Sequence, residues 1–306
     1  MEAESLLQGA IDLHIHAAPD VVPRACGGWE LLASANEARL SGVVLKDHTT
    51  STVGRAHVLN RLPGNTCRVW GSIALNPPVG GLNPAAAESA LRAGARVVYF
   101  PTYGARNHIR RWGAGKPPTA FPLNPGDEQG ISVLREGGGL TAAAEAVLAL
   151  IRRFDAVLAT GHLAPEESLA LLRRARDAGI GRLLVTHASE SVTPFTLDQQ
   201  REAADLGALI EHCFFAATEL CPHPVAVGEI RDAIRAMGAE SCVLSSDLGQ
   251  PGNGDPVAGF GRFLRELLDS GLSPDELRVM TRDNPLKLLE EAPDRLEKTR
   301  SGWPAG

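Results

Sequence analysis

Two histidines in the run IDLHIHA, spaced His14-x-His16, are the first residues of this chain whose type and spacing could do chemistry. Side chains on a β-strand alternate between faces, so a strand here turns both imidazoles the same way. Two imidazoles on one rigid face can share a metal ion, although two core histidines with ordinary partners would leave the same trace. The chain has nine histidines. His48, His162 and His187 also fall at or near the end of a short apolar run, and His212 ends another. Asp247 closes the last such run, in SSDLGQ, where a turn or helix-capping role is the competing reading. Burying so many polar groups at one rim is costly unless they coordinate or pair with something. The pattern points to a metal that activates water.

These side chains need elements to hold them. Apolar runs occur at 11–17, 42–48, 69–75, 96–103, 154–162, 182–188, 207–215 and 242–249. Polar turn residues follow each one, and then a plausible helix, as at 29–42, 142–154 and 166–179. That alternation is the pattern of a parallel α/β sheet. Eight such units close a (β/α)₈ TIM barrel, and 306 residues suit one barrel with insertions. The expected organisation is therefore a single α/β barrel domain over 1–291, with 292–306 as a tail. Residues 104–140, rich in Gly and Pro, form a long insertion after the fourth run, and 216–224 and 248–258 lengthen the loops after the seventh and eighth. All three fall on the face where βα loops build active sites.

Composition excludes several classes. With 44% hydrophobic and 22% charged residues and a net charge of −6, the chain offers no basic face for nucleic acid and no reason to expect a membrane surface. No apolar stretch approaches the about 18 residues of a membrane span, and MEAESLLQGA at the start lacks the features of a signal peptide. Cys26, Cys67, Cys213, Cys221 and Cys242 are odd in number, have no CxxC pairing and read as reduced thiols of a cytoplasmic protein. No GxxxxGK[ST] motif is present and no GxGxxG follows a strand, which removes P-loop and nicotinamide chemistry.

Taken in chain order, His-x-His on the first run, His162 on the fifth, His187 on the sixth and Asp247 on the eighth resemble the amidohydrolase superfamily of metal-dependent TIM-barrel hydrolases. The likeness extends to TRDNPLKLL (281–289), similar to the closing helix of many members. It implies that His14, His16 and Asp247 hold one divalent metal and that His162 and His187 hold a second. It further implies that Asp247 takes the proton of the attacking water. The chain departs from the pattern at one place. Two-metal members usually carry a bridging Lys or Glu on the fourth strand, and that run here reads VVYFPTY. Lys46, on the same strand face as His48, is the substitute. Carboxylated, it would bridge two metals; cationic, it would bind a substrate anion or polarise a carbonyl. Imidazole-rich ligation suits Zn²⁺ first, then Mn²⁺ or Fe²⁺, as one ion or two.

The expected function is metal-dependent hydrolysis of a small molecule, an amide, cyclic amide or lactone, with Asp247, Lys46 and His48 as the catalytic groups. His48, Tyr103, Arg106, His108, Arg110, Arg111 and His212 are the candidate substrate contacts. The guanidinium groups of the insertion suit a carboxylate, which predicts an anionic substrate, although a solvated loop would carry the same charges. Glu211 and His212 lie on opposite faces of their strand, so only one points inward. His57 and His223 read as surface residues. Two other functions would use the same residues: decarboxylation of a small carboxylic acid, and a barrel that binds a ligand without catalysis. Homo-oligomer formation stays open.

Overall fold

The computed structural model describes residues 6–113 and 129–290. The middle of the 104–140 insertion and the 292–306 tail lie outside the described residues. The strands are β1 (Ile11–Ile15), β2 (Gly42–Leu45), β3 (Arg68–Trp70), β4 (Ser72–Ala74), β5 (Val97–Tyr99), β6 (Val157–Ala159), β7 (Leu183–Val185), β8 (Ala208–Cys213) and β9 (Cys242–Ser245). They pair in parallel as β1-β2-β3 and as β4 through β9 in chain order.

Two seams join these sheets. The first lies inside the run expected at 69–75, where β3 and β4 are halves of one strand separated only by Gly71. The Gly71 carbonyl still accepts from the Arg96 amide, 2.8 Å away, so the path around the sheet is not broken. At the second seam the Asp247 amide donates to the His14 carbonyl (2.8 Å) and the His16 amide to the Leu248 carbonyl (2.9 Å). Ile15 and Leu248 form a parallel bridge there. The eight predicted runs thus go round in chain order as an α/β barrel.

Helices cover the outside, and their ends follow local chemistry. The helix Pro165–Asp177 opens with Pro165, Glu166 and Glu167 and has Arg174 and Arg176 in its last turn, which suits the macrodipole. The helix Pro256–Asp269 is capped by Asp255, whose carboxylate accepts from the Ala258 amide at 2.8 Å. Inside the barrel Ile11, Leu13, Val44, Val97, Val157 and Val243 pack together, floored by Leu288 and Leu289. The floor belongs to the helix Asn284–Leu289, the segment TRDNPLKLL of the sequence. Asn284 donates to the carbonyls of Ala239, Glu240 and Cys242, tying this helix beneath β9.

The register of β1 against β2 slips between Asp12 and Ile15. Leu13 belongs to the inner core and Ile15 to the outer one, so the slip turns His14 and His16 together into the mouth. Among the described residues no helix is long and apolar enough to cross a membrane. None of the five cysteines is in a disulfide, and all but Cys26 are buried.

Candidate metal centre

His14 and His16 arrive at the mouth from β1, and Asp247 follows directly after β9. Asp247 Oδ1 lies 3.0 Å from His14 Nε2 and 2.9 Å from His16 Nε2, while its Oδ2 is 3.7 Å from His187 Nδ1. Asp247 (φ 49°) and His187 (φ 61°) both sit in the left-handed region, which costs on the order of 1 kcal/mol or more for a residue with a side chain. Strain at two strand ends is tolerated where it aims side chains at a common point. Two glycines make the approach possible. At Gly249 (φ +136°) a Cβ would stand 2.3 Å from the His16 carbonyl oxygen, and at Gly161 (φ +65°) 2.2 Å from that of Phe100.

The second nitrogen of two of these histidines is held by a carboxylate. Glu211 Oε2 lies 3.3 Å from His14 Nδ1, with Ser245 donating to Glu211 Oε1 at 2.8 Å. Glu190 Oε1 lies 2.7 Å from His187 Nδ1. A carboxylate at Nδ1 keeps the hydrogen there and leaves Nε2 as a basic donor, the arrangement metal-bound histidines use. His187 Nε2 is buried and has no partner among the described residues. His14, His16 and Asp247 have their donor atoms within 4.8 Å of one another, as do His187, Glu190 and Asp247, and His14, His187, Glu211 and Cys213. This donor set fits a divalent cation.

The electrostatics agree with that fit. Burial pulls the His14 imidazolium down, but Asp247 and Glu211 on either side outweigh it and push the pKa up to about 9. Burial opposes ionisation of Asp247 too, and its histidine neighbours still hold it well below the usual carboxylate range. Burial lowers Lys46, with Asp247 and Glu211 acting against that. Its ammonium nitrogen lies 2.8 Å from His14 Nε2 and 5.1 Å from the centre of the Tyr99 ring.

Lys46 also lines a small cavity of about 20 Å³ with His16, His48, Tyr103, His162 and Asp247. That volume is about the room of one water molecule. Glu190, Trp112, Phe215 and Gln250 complete the walls. The His48 ring stacks on Tyr103 at 3.8 Å and 15°. His48 Nδ1 is 2.8 Å from Thr102 Oγ1, which accepts from Asn76 at 2.6 Å. Burial pushes His48 well below the ordinary imidazole range, so its ring is neutral.

The remaining candidates separate. His162 Nδ1 meets His108 Nδ1 at 2.7 Å. His108 is buried on the helix Arg106–Trp112, whereas Arg110 and Arg111 on the same helix are exposed and Arg106 is half-buried. None of the three arginines lines the cavity. Glu211 faces inward and His212 does not: His212 Nδ1 lies 2.7 Å from Ser189 Oγ, and burial pushes the imidazole down to about 4. Sequence reasoning missed Glu190 and Cys213 and weighed Glu211 only against its neighbour. Strand alternation places Glu211 and Cys213 on one face, a signal that becomes usable once either is known to point inward. A Glu three residues after a His, as in HASES, is too common to carry a signal.

Solved structures share this fold at low identity. An amidohydrolase from Pseudomonas aeruginosa is 13% identical, with a TM-score of 0.64 over 94% of this chain and 98% of that one. The probable dipeptidase PvdM from Pseudomonas aeruginosa is 13% identical, with a TM-score of 0.62 over 96% and 98%. An organophosphorus hydrolase from Deinococcus radiodurans is 14% identical, with a TM-score of 0.58 over 95% and 94%. The resemblance to the amidohydrolase superfamily holds at the level of the fold. No curated protein matches the chain in sequence. A family model described as a family of unknown function, DUF6282, matches residues 9–211, from the strand of His14 and His16 through Glu211. With that match over more than half of its length, the chain belongs to the DUF6282 family of unknown function.

Proposed function

We propose that the chain is a metal-dependent hydrolase of a small molecule, with His14, His16 and Asp247 holding a divalent cation at the barrel mouth. The observation that carries this reading is the meeting of His14 Nε2 and His16 Nε2 on one Asp247 oxygen, at 3.0 and 2.9 Å. Glu211 behind His14 and Glu190 behind His187 add to it, because each fixes the tautomer a ligand needs. A bound cation supplies Lewis acidity, polarising a carbonyl and bringing the pKa of water from about 15.7 toward about 7. Imidazole and carboxylate donors together suit Zn²⁺, with Mn²⁺ and Fe²⁺ as alternatives.

The other groups have roles their positions support. Asp247 is ionised and reaches the cavity, so it accepts the proton that water loses and returns it to the leaving group. Lys46 is the hydrogen-bond donor beside the cation that polarises a carbonyl oxygen. When the Thr102 hydroxyl donates to His48 Nδ1, His48 Nε2 carries its hydrogen as a second donor. Tyr103 supplies a hydroxyl to the same cavity. An amide, cyclic amide or lactone is the matching bond.

The test combines elemental analysis with turnover of amides, lactones and carboxylates in ¹⁸O-water. Metal bound to the wild-type protein, its loss in the His14→Ala/His16→Ala double variant and label in the product are the expected results. Asp247→Asn should lower kcat about 10²–10⁴-fold. Release of CO₂ without label would replace hydrolysis with decarboxylation. A metal-free protein that turns over none of these compounds would leave only ligand binding.

A further inference from the structure

The fourth predicted run carries neither Lys nor Glu, yet a nitrogen donor reaches the site one helix later. His108, on the helix that follows β5, is 1% exposed and places Nδ1 2.7 Å from Nδ1 of His162. The two rings stack with centroids 4.9 Å apart and planes 28° from parallel. Two imidazole nitrogens at that distance cannot both carry hydrogen, and they cannot both aim bare lone pairs at each other. One proton or one cation must lie between them.

Neither ring is at liberty to turn away. Asn107, next to His108, donates to the carbonyls of His162 (3.0 Å) and Val192 (2.6 Å), which locks this helix against the end of β6. Trp112 packs edge-on against both rings, 5.3 Å from His108 and 6.4 Å from His162. Tyr103 lies 5.2 and 5.9 Å from them. His187 stands beside the pair: its ring is 4.7 Å from that of His162 at 80°, and its Nε2 is buried with no partner among the described residues.

We propose that His108 and His162 hold a second divalent cation through their facing Nδ1 atoms, with His187 as a third donor. His108 thereby takes the place of the strand ligand that this chain lacks. An all-imidazole donor set suits Zn²⁺ and differs chemically from the first group, which includes a carboxylate. The trio is looser than that group, since it is not among the donor sets lying within 4.8 Å of one another. Its cation is therefore expected to bind more weakly. The inference rests on the metal-dependent reading, and its test separates the two.

Cobalt(II) is titrated into the whole chain and followed by visible absorption and elemental analysis. The wild-type protein should take up two equivalents, the second more weakly. His108→Ala should keep the tight equivalent and lose the weaker one. His108→Phe, which retains a ring between Trp112 and Tyr103, reads the same loss if the alanine variant does not fold. The His14→Ala/His16→Ala double variant should keep only the weaker equivalent. Two equivalents in His108→Ala or His108→Phe overturn the role of His108. One equivalent in the wild type with none in the double variant overturns the second site and leaves the metal-dependent reading standing. None in the wild type overturns both.

Discussion

Glu190 and Glu211 act on the candidate centre through the histidines they hold. Each occupies the Nδ1 side of a buried imidazole, at 2.7 and 3.3 Å, so the opposite nitrogen stays basic and aimed. Glu190→Gln and Glu211→Gln keep the shape and remove the charge. Each should weaken Zn²⁺ binding about 10–100-fold, read by competition with a chromophoric chelator. Unchanged affinity in both would show that the pairs only fill space. The same environment sets a pH dependence. His14, raised to about 9, must lose a proton before it can bind a cation. Affinity should therefore rise with pH below that value and fall as acid returns the proton, by up to about tenfold per pH unit.

At the scale of elements, the seam between β1 and β9 matters most, because it brings His14 and His16 beside Asp247. A side chain reinforces it: Asp12 Oδ1 accepts from the amides of both His14 and Ser246, each at 3.0 Å. Asp12 is wholly buried, and burial raises its pKa to about 7 despite those donors. Asp12→Ala would leave two buried amides unsatisfied, at about 1–3 kcal/mol each. Asp12→Asn keeps an acceptor and should cost less. The expected result is a clear drop in Tm and in Zn²⁺ affinity for the alanine variant, with the asparagine variant between it and wild type. Equal Tm values for the two variants would show that the seam does not depend on this carboxylate. The helix Arg106–Trp112 makes a second point at this scale. A run of basic residues proved to be one buried histidine and two solvent-facing arginines, because docking buries one face of a helix and leaves the other in water.

Over the whole molecule the two ends of the barrel do different work. The mouth gathers the candidate ligands, and the floor holds the fold together. Arg96, 2% exposed below β5, donates to the carbonyls of Leu288 (2.9 Å), Leu289 (3.0 Å) and Glu290 (2.5 Å), and also to that of Asp155. It fastens the closing helix whose Leu288 and Leu289 plug the inner core. Arg96→Met should lower unfolding stability by about 3 kcal/mol or more, seen in urea, by stranding those carbonyls. Zn²⁺ affinity of the folded protein should stay as in wild type, since the change lies at the end of the barrel away from the site. A parallel loss of metal binding would contradict this division.

Much of this could be read in the chain itself, because parallel strands buried on both faces are continuous apolar runs, and a βα loop begins where each run ends. That logic located the eight strands, the closing helix, and the rim positions of His14, His16, His162, His187 and Asp247. Tertiary structure decided everything that needed two distant segments to meet. It turned Glu211 inward and His212 away, paired His108 with His162 rather than with substrate-facing arginines, split one strand at Gly71 and drew Glu190 behind His187. Local sequence sets what each element presents, but register, docking and closure of the barrel set which presented groups touch, and those depend on packing summed over the whole core.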